Sequence, residues 1–429
     1  MNALLEDASM ESSVPPLFNT VLPEQVDALD QKQSGRCWLF AGLNLLRHRI
    51  IQHAEGHGSS GKKARRMEAS TGIGPGFKLS AAYLAFYDHL EKCYALMETF
   101  DRYGYAIDDL TFDYLRGVYM SDGNTWSAFV ALVEKYGVVP DTAFPDSKQA
   151  ANTDAMNHVM RLRMDVALLA IDRARRRSDG GRAEIRAIKE EAMRDFYRIV
   201  SGSMGIPPAA FEWEGRETTP LDWYRSNVRP LVRLDEYVVL IHDPRHPRGR
   251  WVGIDQLCTV WGYQQPCNTY LNVDMDVMES AIIRSLRDHR TPVWFSADVS
   301  AYATMNRAVL ALPDRPAPLE QIFGELIPSK HDMSRTRAFA PNHAMLFTGC
   351  QLSRSRSSTA AERFQVENSW GTAGLGKGFL AMSRPWFEQF IGCVAVPRSL
   401  LPASLRKPQP PILLPPTDIY GTFAARVKK

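Results

Sequence analysis

Gln31-Lys32-Gln33-Ser34-Gly35-Arg36-Cys37-Trp38-Leu39-Phe40-Ala41 is the stretch from which the rest of this 429-residue chain is read. A cysteine follows a Ser-Gly-Arg turn and opens an apolar run. Leu39, Leu43, Leu46 and Ile50 recur at steps of four, three and four, which puts them on one face of a helix over residues 34–50. Arg47, His48 and Arg49 suit its C-terminus, where cations offset the helix dipole. Cys37 then lies in the first turn, among backbone N–H groups with no partner inside the helix. Those groups and the dipole favour an anion, so a thiol there is expected to ionise more readily and to serve as a nucleophile. Gln31 offers an amide N–H₂ to the same place across the turn. The plain alternative is a structural cysteine at a helix start, since free cysteine is among the most buried residue types.

The length allows two to three domain-sized units. With 45% hydrophobic and 23% charged residues the composition is that of a soluble globular protein, and a formal net charge of +3 is too small to argue for nucleic acid. Glu6, Asp7 and Glu11 interrupt any apolar core near the N-terminus, so no secretory signal is expected. No run reaches the ~20 apolar residues of a membrane helix. The six cysteines (Cys37, Cys93, Cys258, Cys267, Cys350 and Cys393) are scattered, none in a CxxC pair, and are expected to be reduced. No cluster has zinc-ligand spacing. His242 and His246 are split by Pro244 and read as a turn, so no metal or cofactor is expected.

In chain order, residues 1–30 read as a polar arm and 31–149 as a helical unit carrying Cys37. Within the latter lie a basic loop from His53 to Gly76, including the segment 61–66, and helices over 79–99 and 127–136, with Gly137 as a C-cap. Residues 150–290 read as an insertion. Its first part, over 150–200, is long helices bearing Arg161, Arg163, Arg173, Arg175, Arg176, Arg177, Arg182 and Arg186 with acidic partners between them, a solvated surface first and an interaction surface second. Its second part, 204–275, mixes prolines with short apolar runs and reads as irregular or a small β segment. Residues 291–400 read as β-rich, beginning with an alternating strand at 293–299, and 401–429 as a tail.

A second chemical constellation lies in the β-rich part. His343–Cys350 reads as a mostly buried strand, Arg363–Asn368 as an alternating one, and the polar residues between them as a hairpin loop. Pairing Cys350 with Ala361 sets His343 opposite Asn368, with Cβ atoms roughly 5 Å apart. An Asn there can accept the imidazole N–H and hold the ring for proton transfer from a thiol, completing a Cys–His–Asn system. A satisfied His at a strand end is the structural alternative. Gly371–Gly378 fits the phosphate-loop pattern GxxxxGK, but Gly378 occupies the Mg²⁺-binding Ser/Thr position and a strand, not a helix, is expected at 379–382. It reads as a connection between strands.

Gln31…Ser34-Gly35-Arg36-Cys37-Trp38, Asn342-His343-Ala344-Met345 and Val366-Glu367-Asn368-Ser369-Trp370-Gly371 resemble the three signature blocks of papain-like cysteine peptidases. The Ser-Gly-Arg-Cys-Trp form is similar to the bleomycin hydrolase (aminopeptidase C) branch, as are Phe77–Leu84, Val133–Pro140, Asp243–Pro247 and Pro292–Phe295. The interval from Cys37 to His343 far exceeds the ~130–150 residues of papain itself, which fits that branch's large insertion. The resemblance implies an α+β papain-like two-lobed fold: a helical lobe, a β-barrel lobe, a large helical insertion and a C-terminal tail running into the cleft. It implies Cys37 as nucleophile, His343 as general acid/base, Asn368 as its orienter, Gln31 with the Cys37 N–H as oxyanion hole, and Trp370 as a cover over the His–Asn pair. Substrate is expected at Gly123, Asn124, Trp370 and Ala424, as peptides or amides with a free N-terminal amine. Homohexameric rings and an intracellular site are implied as well.

Three features depart from the branch. Asn124 replaces a glycine and is expected to narrow or shift a subsite. Ala81 stands where the branch has Gln. Ile419–Ala424 resembles the branch's terminus, whose carboxylate holds the substrate amine, but five residues ending in Lys428 and Lys429 follow. An endopeptidase or tail-autoinhibited form, an acyltransferase, and a scaffold or nucleic-acid-binding protein with a vestigial site are the alternatives.

Overall fold

The computed structural model describes residues 15–22, 28–56, 72–177, 181–262, 268–300, 302–304, 307–312, 318–353, 360–372 and 376–421. The basic segment 61–66, Cys267, Ala424 and everything after Gly421 lie outside the described residues.

Among the described residues seven helices reach ten residues or more. Helix α1 is Cys37–Gly56, α2 Ala81–Arg102, α3 Leu110–Tyr119, α4 Trp126–Tyr136, α5 Asp154–Arg175, α6 Arg182–Met204 and α7 Met275–Arg287. Their starts follow side-chain capping: Ser80, Asp109 and Thr125 each accept an N–H from the first turn of α2, α3 and α4. Gly137 ends α4 at φ +76°, and a Cβ there would collide with the Pro220 carbonyl, so both backbone and space demand glycine. Helix α1 runs six residues past the expected end at Ile50. Arg47 and His48 are 3% and 2% exposed, and His48 and Arg47 make bonds away from the helix end. They are interior polar groups, not terminal cations.

Helices α5 and α6 pack against each other through Met160, Met164, Leu168, Ile185, Phe196 and Val200. Several of their arginines form ion pairs, among them Arg163–Asp195, Arg176–Asp172 and Arg177–Glu184, each at 2.8 Å, whereas Arg175 turns inward to the Phe100 and Tyr105 carbonyls. Exposed pairs of this kind add little stability, and they match a solvated helical surface.

Among the described residues twelve strands form one sheet, and Phe211–Trp213 and Arg216–Thr218 pair apart from it as a two-stranded antiparallel ribbon. In chain order the twelve are β1 Thr20–Val21, β2 Tyr237–Ile241, β3 Trp251–Ile254, β4 Thr269–Asn272, β5 Val293–Ala297, β6 Ala303–Thr304, β7 Val309–Leu310, β8 His343–Leu352, β9 Ala361–Glu367, β10 Phe379–Ser383, β11 Ile391–Pro397 and β12 Ile412–Leu414. The spatial order is β12-β3-β4-β2-β11-β5-β8-β9-β10-β7-β6, with β1 added to β8. Strands β2–β4 lie inside the segment read as an insertion, yet β2 pairs with β11 and extends the main sheet, so the sheet crosses the expected boundary at residue 290. β5, β8 and β11 are central and buried on both faces, as their unbroken apolar runs require.

Cys37, Cys93, Cys350 and Cys393 are free. Cys258 is disulfide-bonded, which corrects the expectation of a fully reduced chain. Among the described residues no helix is long and apolar enough to cross a membrane.

Candidate active site

The loop before Cys37 is held by buried polar groups on every side. Arg36, 1% exposed, donates two parallel bonds to the Asp146 carboxylate at 2.9 and 2.8 Å, a third to the Ala150 carbonyl and a fourth to Ser34 Oγ. A planar guanidinium fork against a carboxylate fixes both distance and orientation. On the other side Asp122 accepts the Gly35 N–H at 2.8 Å, the Thr153 hydroxyl at 2.5 Å and the Asn157 amide at 2.6 Å, while its backbone carbonyl accepts Trp38 Nε1–H at 2.9 Å. A Cβ on residue 35 would come within 2.9 Å of Asp122 Cβ, so the approach depends on glycine. Burial pushes the Asp122 carboxyl up, but His89 and these donors outweigh it and hold the group below the ordinary carboxylate value.

Cys37 therefore enters the first turn of α1 at a fixed point, 3% exposed, where the Ala344 N–H reaches its Sγ at 3.5 Å. His343, the residue before Ala344, opens β8 and is 4% exposed. Its Nε2 lies 2.7 Å from Asn368 Oδ1. A side-chain carbonyl can only accept, so Nε2 carries the proton and Nδ1 is left as the basic nitrogen. The Trp370 ring stands 4.8 Å from the imidazole at 36°, itself 41% exposed, and so shields one side of the pair from water.

The pairing of His343 with Asn368 arises differently from the expected rung. On β8 and β9 Leu346 faces Glu367, Cys350 faces Phe364, and Ala361 faces Leu352 rather than Cys350. Irregularities between Phe347 and Gly349 and between Gln351 and Leu352 displace the register. His343 instead pairs with Ala297 of β5, and Asn368 comes to it after β9 has ended, its N–H donating to the Gly378 carbonyl.

Gln31 is 4% exposed and tied to the same block: its N–H donates to the Ser369 carbonyl at 2.8 Å, and Ser369 Oγ donates to Gln31 Oε1 at 2.6 Å. The Ser34 carbonyl can only accept, and it settles which end of the amide is nitrogen. Nε2 gives one hydrogen to the Ser34 carbonyl at 2.5 Å and has a second to offer.

The two ionisable groups stand differently from the expectation of a thiol readily ionised alone. Burial pushes the Cys37 thiol up to about 11, against the lowering effect of the Ala344 and Trp38 N–H groups. Burial also takes His343 down to about 4, partly countered by Asn368. Each charge alone is thus disfavoured. A thiolate beside an imidazolium would offset both penalties, since opposite charges compensate each other.

Gly123 and Asn124 are both buried, and their polar groups are largely committed inward. The Gly123 carbonyl accepts Lys92 Nζ at 2.8 Å. Asn124 donates to Asp88 at 2.7 Å and accepts from Thr125 N–H and Thr259 Oγ1. Its side chain is thus tied into the interior by three hydrogen bonds. Ile419 and Tyr420 are buried and line one small pocket with Thr125, Trp126 and Pro341.

The profile of the Peptidase C1-like family matches residues 1–421. The chain belongs to this family. Its relatives include the bleomycin hydrolase of Rattus norvegicus, 29% identical over 95% of this chain and 89% of that protein. The aminopeptidase C of Listeria monocytogenes is 30% identical over 99% of this chain and 92% of that protein. The crystal structure of PepW from Lactobacillus rhamnosis superimposes with a TM-score of 0.82 at 26% identity, covering 97% of this chain and 91% of that one.

The sequence pointed to Gln31, Cys37, His343, Asn368 and Trp370, and these five come together. It gave no role to Asp122, Ser369 or Asp146. Asp122 sits in the Asp-Gly turn read for substrate contact, and the glycine at position 35 was the available sign that something approaches that loop closely.

Proposed function

We propose that this member of the Peptidase C1-like family is a cysteine aminopeptidase of bleomycin hydrolase type with a Cys37–His343–Asn368 centre. The carrying observation is the 2.7 Å contact of His343 Nε2 with Asn368 Oδ1, which leaves Nδ1 as base on the residue adjoining the Cys37 contact. The thiol proton passes to Nδ1 and the thiolate attacks the substrate carbonyl. The developing oxyanion is met by the second Gln31 Nε2–H and the Cys37 N–H. The imidazolium then protonates the leaving amine, the C–N bond breaks, and an acyl thioester remains. Water, deprotonated by His343, attacks that thioester, releases the acid and restores the thiol.

The arrangement favours a papain-like division into a helical part bearing Cys37 and a β-rich part bearing His343 and Asn368. Exopeptidase action depends on where the tail stops. Gly421 is three residues short of Ala424, about 10 Å of extended chain, and 419–420 already pack beside Thr125 and Trp126. Residues after Ala424 then decide whether a terminal carboxylate meets the substrate amine; Gly123 and Asn124 border it through backbone. A cytoplasmic homohexamer that takes free-amine peptides completes the proposal, and sedimentation and fractionation check it.

The test is hydrolysis of aminoacyl fluorophores against N-blocked peptides by the full chain, a variant ending at Ala424, and Cys37→Ala. The expected result is Cys37-dependent activity, with the variant ending at Ala424 favouring free amines. Equal cleavage of blocked and free substrates by both lengths refutes the tail's role, and activity surviving Cys37→Ala refutes the centre.

A further inference from the structure

One buried carboxylate outside the centre joins the helix of the nucleophile to the strand of the orienting amide. Glu367 is the last residue of β9, immediately before Asn368, and is 3% exposed. Asn44 Nδ2 donates to its Oε1 at 2.8 Å, and His48 Nε2 lies 3.0 Å from its Oε2. Both partners stand on α1, four residues apart and on the face that begins with Cys37, since steps of seven and four return to the same side of a helix. The remaining charged neighbour is Arg47, whose buried guanidinium is drawn below its ordinary value by desolvation while the Glu367 charge opposes this.

We propose that Glu367 is a positioning residue that fixes Asn368, and through it His343, relative to Cys37. The assignment rests on the cysteine peptidase reading above. A carboxylate held at both oxygens by two points on one helix can neither slide along that helix nor turn away from it. In a buried site such bonds to a charged acceptor are strong and directional. At the other end of the contact, the Ala344 N–H on Cys37 Sγ and Trp294 Nε1–H on the Trp38 carbonyl at 3.2 Å secure the first turn of α1 to β8 and β5. The Glu367 clamp secures it two and three turns later to β9. With both ends fixed, the strand end that carries Asn368 has one setting against the thiol. The backbone step from Glu367 to Asn368 transmits it directly, because consecutive residues share a peptide plane.

Full-length Glu367→Ala and Glu367→Gln are compared with wild type by kcat and KM per titratable Cys37, and separately by the pH dependence of Cys37 alkylation with iodoacetamide. Gln keeps the shape, accepts from Asn44, and can donate to the neutral His48 ring after a tautomer change. Glu367→Ala is expected to lower kcat about 10–100-fold with KM within about threefold, while Glu367→Gln stays within about threefold of wild type, since misplacement by ~1 Å carries costs of this size. In Glu367→Ala the alkylation midpoint moves up, because a displaced imidazole takes the Cys37 proton less readily. A Glu367→Ala protein with wild-type kcat and alkylation profile, altered only in unfolding midpoint, overturns the proposal. So does a Glu367→Gln loss as deep as that of Glu367→Ala. If Glu367→Ala does not fold, Asn44→Ala (expected to lose kcat) and His48→Gln (expected to keep it) decide by the same readouts. Should wild type hydrolyse no peptide, the peptidase reading falls; the alkylation shift still judges the clamp.

Discussion

Asp122→Asn removes one charge and one acceptor from the hub that holds the nucleophile loop. In wild type, Oδ2 takes the Gly35 N–H and the Thr153 hydroxyl, and Oδ1 takes the Asn157 amide. An asparagine keeps the volume, but its NH₂ must face either Asn157 or the Gly35–Thr153 pair, so a donor meets a donor in a nearly closed space. Its partners also lose the charge, and hydrogen bonds to a buried charge are worth roughly 1.5–3 kcal/mol each. The substitution is therefore expected to cost about 2–4 kcal/mol in stability. Gly35 is two residues from Cys37, and a shift of the sulfur by ~1 Å adds a loss in kcat of up to about 100-fold. The assay is urea unfolding together with kcat per titrated thiol, with Asn157→Ala as a milder variant that leaves the Gly35 contact in place. An Asp122→Asn protein with a wild-type unfolding midpoint and wild-type kcat would show that the loop is held by Arg36–Asp146 alone.

Asn368→Ala removes the acceptor that fixes the His343 tautomer and is expected to lower kcat about 10–100-fold while Cys37 remains titratable, as checked by single-turnover acylation. Acid lability follows from two buried histidines. Burial lowers both His343 and His89 to about 4 in the folded chain, against 6.5 when exposed. The unfolded chain thus binds protons that the native chain refuses, so their contribution is fully present above pH 6.5 and is lost as pH falls toward 4. Each accounts for about 3 kcal/mol at most, and urea midpoints at pH 7 and 4.5 should show a fall that His89→Asn reduces.

The parts of the site legible in the sequence were those where residue type alone dictates chemistry. Gln31, Cys37, His343 and Asn368 were grouped because a thiol, an imidazole and an amide at element ends have few other uses in concert, and the structure sets His343 on Asn368, Cys37 on the adjoining Ala344 N–H and Gln31 on Ser369. The route by which they meet was not legible. A period-two pattern reports which face a side chain takes, but a bulge adds a residue without disturbing the composition on either side of it. The irregularities near Thr348 and Glu362 therefore shifted the hairpin while the His–Asn contact survived. Arg47 and His48 were misjudged for a related reason. At the end of an apolar stripe they look like cations beside a helix dipole, and only the distant Glu367 reveals an interior use for His48. Cys37 illustrates the limit of local electrostatics: helix-start amides do lower its pKa, but the burial that surrounds them contributes more.

Ser369 and Gln31 are 338 positions apart in the chain. Protein synthesis runs from the N-terminus, so α1 and its thiol leave the ribosome long before Glu367, Asn368, Ser369 and Trp370 exist. Throughout that interval Cys37 has no orienting amide and no anchored Gln31, and the nascent chain carries an inert cysteine. The four residues that supply these contacts arrive consecutively and on one strand end. Hydrolytic competence thereby waits for this distant segment, a delay built into the order of the sequence.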